Sequence, residues 1–220
     1  MAKVIIFGIQ DFAELAQYYL ENDSEHEVVA FSVHQQYIPE PPFFHGLPIV
    51  AFEAVEKEYA PGDFQFFAPM APQEMNRLRE SIYNAIKAKG YKLISYVSSK
   101  ATIFHNPIGD NCFILENNTI QPFTTIGNNV VLWSGNHIGH HSIIRDHTFI
   151  ASHIVVSGGV DIGEQCFIGV NATLRDHIQI GDRCVIGAGV LLLANAEADG
   201  LYKGTATERS ALPSSGLRKI

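Results

Sequence analysis

Half of the ten histidines of this 220-residue chain fall between His137 and His153. The densest run is Ser134-Gly135-Asn136-His137-Ile138-Gly139-His140-His141-Ser142. A neutral imidazole titrates at about 6.5, so it can take a proton from an amine or hydroxyl near neutral pH. The same cluster raises zinc chemistry, because His137 and His141 are four apart and His153 is near. Cys112, Cys166 and Cys184 are the other reactive groups; their spacing makes them inward-facing with a packing role, and the expected cytoplasmic location argues for free thiols.

Such side chains need a frame, and the frame is a repeat. Every sixth residue from Ile108 to Leu192 is aliphatic: Ile108, Ile114, Ile120, Ile126, Leu132, Ile138, Ile144, Ile150, Val156, Ile162, Ile168, Leu174, Ile180, Ile186 and Leu192. The position two before each is small or aliphatic in most repeats, and the position after is often glycine (Gly109, Gly127, Gly139, Gly163, Gly169, Gly181, Gly187). A hexapeptide period predicts a β-helix. Three hexapeptides make one triangular coil, and the aliphatic stacks on its copy 18 residues on. Coils rise by about 4.8 Å, and each satisfies its backbone with the next. Glycine after the aliphatic is expected to permit corner angles closed to other residues.

On that prism Ile138 points inward, while His137 and Gly139 lean outward. His140 and His141 follow on the next face, one of them facing solvent. The preceding coil sets Pro122 and Phe123 beneath them. The following coil sets Gly158 and Gly159 above, where a ligand can approach the backbone closely. Phe113, Phe123, Phe149 and Phe167 cannot all point inward beside the repeat aliphatics, so they ask for a partner surface, and three-fold packing would bury them. His105, His147 and His177 read as solvated corner residues. His153 lines a groove or is structural. Arg145 and Arg175, at corner-glycine positions, meet either an anionic ligand or water.

Residues 1–100 alternate strand and helix patterns: strands Lys3–Phe7, His26–Val33, Leu47–Val50, Phe64–Ala68 and Tyr91–Val97, helices Asp11–Leu20, Phe52–Tyr59 and Gln73–Lys89, and a loop over Tyr37–Gly46. This predicts a small parallel α/β sheet, Rossmann-like, ahead of the β-helix at 101–193 and a C-terminal strand and tail at 194–220, fraying after Ser210. The turn after the first strand carries Gly8, where such sheets bind phosphate. The formal charge is −8 with no basic run, which argues against nucleic acid or an anionic membrane. The short apolar start and the lack of a long apolar segment lead us to expect a cytoplasmic protein.

With these residues in view, nearly the whole chain resembles the hexapeptide-repeat sugar acyltransferases related to sialic acid O-acetyltransferase and bacillosamine N-acetyltransferase. The resemblance implies a left-handed β-helix, a nucleotide-sugar-binding α/β domain, acetyl-CoA as co-substrate, no metal and a homotrimer. That family's general base lies in a His-Glu/Asp-Cys run. His140-His141-Ser142 matches it, with His140 on the base and His141 on the acid. The orienting role would then pass to another carboxylate, to Asn136 or to His137. Gly158 matches the amide at the thioester oxygen, beside Gly159. Gly187 and Ala188 match the corners holding the pantetheine arm. The family's N-terminal glycine run survives only at Gly8, and its acidic pair is replaced by Ser32-Val33-His34. Trp133 walls the acceptor site or fills a trimer groove. Two other readings stay open: a non-catalytic trimeric scaffold, and a metal enzyme of the γ-carbonic-anhydrase type.

Overall fold

The computed structural model describes residues 1–216. Its leading part holds β1 (Lys3–Phe7), α1 (Asp11–Asp23), β2 (Glu27–Val33), β3 (Phe43–Phe44), β4 (Leu47–Ala51), β5 (Phe64–Phe67) and α2 (Arg77–Ala88), followed by β6 (Tyr96–Val97). The sheet order is β3-β4-β2-β1-β5. Only β3 runs antiparallel, so the sheet is mixed at that edge. Gln10 occupies the cap position of α1, and Asp11 lies in the helix's first turn. There its charge complements the helix dipole.

Three expected elements are shorter. The helix begins at Arg77, because Glu74, Met75 and Asn76 turn left-handed with φ of 50°, 56° and 64°. The turn sends the Asn76 amide to the carbonyls of Gln165 and Cys166. Tyr91–Val97 is not one strand. Leu93 bridges to Phe66 in the leading sheet, whereas Tyr96–Val97 pairs with Phe113–Ile114. One straight strand cannot serve both sheets. The Phe52–Tyr59 helix is a 3-10 turn over Phe52–Lys57.

From there the chain is a left-handed β-helix of two-residue strands. Its first face stacks Phe113–Ile114, Val131–Leu132, Phe149–Ile150, Phe167–Ile168 and Val185–Ile186. The second stacks Thr119–Ile120, His137–Ile138, Val155–Val156, Thr173–Leu174 and Leu191–Leu192. The third stacks Thr125–Ile126, Ile143–Ile144, Asp161–Ile162 and Gln179–Ile180. All pairings on these faces are parallel and in register at 18 residues. The repeat aliphatics from Ile114 to Leu192 form one buried core, which includes Cys112, Cys166 and Cys184 as free thiols. The first face is extended at both ends, by Tyr96–Val97 beside Phe113–Ile114 and by the expected C-terminal strand, Leu201–Tyr202, beside Val185–Ile186. Fraying after Ser210 concerns in part residues 217–220, outside the described residues. Among the described residues no helix is long and apolar enough to cross a membrane.

The corners differ from expectation in an instructive way. The left-handed residue is not the one after the aliphatic but the one two further on. From His105 to Gly189 every sixth residue has φ between 53° and 80°. Five of these fifteen are histidine, four asparagine and three glycine. Asn and His tolerate this region better than most side chains. The glycines after the aliphatic have ordinary φ and serve another need. A Cβ on Gly139 would lie 2.6 Å from the Gly158 nitrogen, and one on Gly169 2.6 Å from that of Ala188. Coils approach too closely there for a side chain.

The expectation that the phenylalanines await a partner subunit is corrected for three of the four. Phe113 and Phe149, 1% and 4% exposed, belong to a core shared with α1 and the leading sheet, and Phe167 packs against it. The leading domain itself covers the first face. Phe123 sits instead at a corner and is 73% exposed.

Candidate active site

Three edges join the prism faces, and the residues singled out above divide among them. The second edge, between the second and third faces, carries His140, His141, Gly158 and Gly159. His140 is exposed, and its amide donates to Gln121 Oε1 at 2.9 Å. Its ring leans towards the following coil: a Cβ on Gly158 would lie 2.6 Å from His140 Cε1 and 2.8 Å from Nε2. Gly159, at φ 71°, leaves the same room for the ring of His177 in the next coil. The two glycines therefore make space for two imidazoles. Among the described residues the Gly158 amide donates to no group of the chain, while Gly159 donates to the His140 carbonyl at 2.8 Å. The open amide lies beside the exposed ring.

His141 has φ 59°, donates its amide to the Pro122 carbonyl and lays its ring on Phe123, centroids 4.7 Å apart. Its Nδ1 is 3.0 Å from His140 Nδ1. His137 lies on the second face, half-buried, paired with Thr119 and Val155. Asn136 is buried, and its amide is spent on the scaffold: Nδ2 donates to the Trp133 carbonyl and Oδ1 accepts from the Ile154 amide. It makes no hydrogen bond to His140.

The first edge, between the first and second faces, carries Trp133, Gly187 and Ala188. Trp133 meets Phe12 of α1 edge-on, centroids 5.5 Å apart. It therefore lies in the seam with the leading domain, next to the turn that Gly8 opens with φ 119°. The Gly8 amide donates to Ser32. Gly187 donates to the Tyr202 carbonyl, so the C-terminal strand lies across that corner. His153, exposed on this edge, rests its ring over Gly135. Within one chain the two edges stand a face apart, and the expected cofactor residues do not converge.

The third edge corrects one histidine. His147 is not solvated but 7% exposed, under α2. Asn129 Nδ2 donates to His147 Nδ1 at 2.9 Å, Tyr83 meets its ring edge-on, and burial pushes its pKa down. Arg79, 1% exposed, donates to the carbonyls of His147 and Asn129 and to Asn76 Oδ1. His105 and His177 are exposed as expected. Arg145 is engaged bidentately by Asp161 at 3.0 and 2.8 Å.

Gln121 is a neighbour of His140 that residue chemistry does not flag. Its 19-residue offset, one coil plus one, is the signal that finds it. Among the described residues no three His, Cys, Asp or Glu side chains converge as a metal site.

Residues 108–140 and 159–194 match the bacterial transferase hexapeptide (six repeats) family. No curated protein sequence matches the chain. Among solved structures, a mutant of perosamine N-acetyltransferase from Caulobacter crescentus, in complex with CoA and GDP-perosamine, superposes with a TM-score of 0.78 at 19% identity, over 93% of this chain and 94% of that one. The acetyltransferase domain of PglB from Neisseria gonorrhoeae, in complex with acetyl coenzyme A, gives 0.78 at 19%, over 92% and 96%. WeeI from Acinetobacter baumannii gives 0.77 at 16%, over 93% and 97%. At such identities the likeness establishes the fold, leading domain included. Residues 108–140 and 159–194 are thus similar to bacterial transferase hexapeptide repeats, on a chain whose fold, over 93% of its length, is similar to that of perosamine N-acetyltransferase.

Proposed function

We propose that this chain is an acetyl-CoA-dependent acyltransferase that acetylates an amino group, or a hydroxyl, of a nucleotide-linked sugar, with His140 as general base. The observation that carries the reading is the second edge, where an exposed imidazole lies against a glycine whose amide has no partner among the described residues. Proteins of the same fold are described in complex with CoA, acetyl-CoA and GDP-perosamine. Acetyl-CoA, when bound, supplies the electrophilic acyl carbon. His140 Nε2 takes the proton that the acceptor amine loses as its nitrogen bonds that carbon, and returns it to the sulfur as the C–S bond breaks. The Gly158 amide donates to the acyl oxygen as charge collects there, a contribution of about 3 kcal/mol for such a donor. Holding both substrates in line contributes the rest. The cysteine thiols, buried and with their pKa values raised by burial, take no part.

A homotrimer fits the same reading. Gly187 and Ala188 stand on a different edge from His140, so only a neighbouring copy can bring such a corner to it. Ile143, Val155, Leu191 and Leu193 expose apolar surface around the second edge, as a buried interface requires. On the acceptor side, the Gly8 turn and Trp133 share a seam through Phe12, a place for the nucleotide-sugar. Asp11 in that turn disfavours direct phosphate contact with the helix N-terminus.

The test is thiol release from acetyl-CoA against a panel of free and nucleotide-linked amino sugars. His140→Ala should lower turnover by about 10²–10⁴-fold while CoA binding and the sedimentation coefficient stay unchanged. Retained turnover in that variant rules out His140 as the base.

A further inference from the structure

The two adjacent imidazoles of the second edge meet nitrogen to nitrogen. His140 Nδ1 and His141 Nδ1 are 3.0 Å apart, with ring planes at 87°. Such a contact is a hydrogen bond only when one nitrogen carries a proton and the other does not. Two neutral arrangements satisfy it, and they are not equivalent. When His140 donates, its Nε2 is bare and can accept a proton, and His141 keeps its own proton on Nε2. When His141 donates, His140 carries its proton on Nε2 and cannot act as a base there.

Building on the reading of His140 as base, we infer that His141 is its positioning residue: it accepts the Nδ1 proton of His140 and so keeps Nε2 bare beside Gly158. The backbone and the preceding coil hold His141 in place for this. Its left-handed φ turns the side chain down onto Phe123, and its amide is tied to Pro122. Among the described residues no carboxylate pairs with either ring, the histidine–carboxylate pairs being at His34, His45 and His147. The acceptor that orients His140 is therefore an imidazole.

The proton count closes. The acceptor's proton goes to His140 Nε2, giving an imidazolium whose Nδ1–H still donates to neutral His141, now as a stronger, charge-assisted bond. Release of that proton to the departing sulfur restores the starting tautomers. His141 gains no net proton at any step. It supplies tautomer and orientation, without the coulombic attraction a carboxylate would add.

Two variants separate these contributions. His141→Phe keeps a flat ring, and Phe123 shows that this corner accepts phenylalanine at φ 67°, but it removes the acceptor. His141→Glu keeps an acceptor and adds a charge. The measurement is long-range ¹H–¹⁵N correlation NMR on the ¹⁵N-labelled full chain near pH 8, with ring signals assigned through these variants. In the unsubstituted protein His140 should carry its proton on Nδ1 and His141 on Nε2. In His141→Phe, His140 should revert to the Nε2–H form preferred in water, and kcat should fall about 10- to 100-fold with KM unchanged. His141→Glu should restore both. An Nε2–H tautomer at His140 in the unsubstituted protein overturns the inference, as does an unchanged kcat in His141→Phe. If no acceptor is acetylated at all, the transferase reading fails, while the NMR tautomers still decide the pairing.

Discussion

His141 and His147 occupy equivalent corner positions, one hexapeptide apart, with φ of 59° and 63°. Each turns its ring onto the coil before, His141 onto Phe123 and His147 onto Asn129. Their fates differ because of what covers the edge. Over His147 lies α2, with Arg79, Glu80 and Tyr83, and the imidazole becomes one rung of a buried polar ladder running Asn111–Asn129–His147. Over His141 lies no other element among the described residues, and the ring meets His140 instead. A left-handed backbone explains why histidine is found at both places. Only the covering explains which one is free to do chemistry.

The largest effect should come from stripping the cover. Arg79→Leu leaves the carbonyls of His147 and Asn129 and the Asn76 side chain without their buried donor. A loss of about 3–5 kcal/mol in chemical denaturation is expected, with the prism core melting separately from the leading domain. A single unshifted transition would mean that the ladder does not dock the two parts.

At the open edge the expected effect is on rate. Gly158→Ala puts a Cβ into the His140 ring, which can swing into solvent, so stability should change little. Turnover should fall about 100-fold through displacement of the base. Gly139→Ala sharpens the contrast, because its Cβ meets backbone rather than a mobile side chain. It should cost about 2 kcal/mol or more by thermal melting, whatever it does to activity. Equal effects of the two substitutions would show that the corner glycines do not divide into these kinds.

The smallest effect is in pH. Burial lowers the pKa of His147 in the folded chain, so the unfolded chain binds more protons. Stability should therefore drift down as pH falls below about 6.5, the unfolded value. His147→Asn, which suits the left-handed corner, should flatten that drift. Asp23 behaves likewise at lower pH. Hydrogen bonds from Ser99 and Tyr96 hold its pKa at about 2. Its contribution is present above about pH 4 and is lost as pH falls through about 2, and Asp23→Asn should remove that component.

Much of the prism is legible in residue types alone. The six-residue period places each inward aliphatic, the three thiols, and the neighbours of His140 eighteen residues away. A stack of identical coils is a one-dimensional object, so spacing along the chain is spacing in space. The corner glycines are the instructive failure. Their position is plain, but whether glycine answers a backbone angle or a close approach depends on coil-to-coil distance, which no single repeat contains. The strand over Tyr91–Val97 fails similarly: its apolar pattern is correct, but two sheets share it.

By itself, then, the order of residues determined the period, the inward column, the stacking of the Gly158-Gly159 pair one coil above His140 and His141, and the placement of an α/β unit ahead of the prism. Tertiary structure alone decided that this unit covers the first face and buries Phe113 and Phe149, and that α2 closes over His147. The physical reason is range. Repeat contacts recur at a fixed offset of eighteen residues and leave a trace in composition, whereas the docking of one domain on another joins residues such as Arg79 and His147, 68 apart, at no repeating distance.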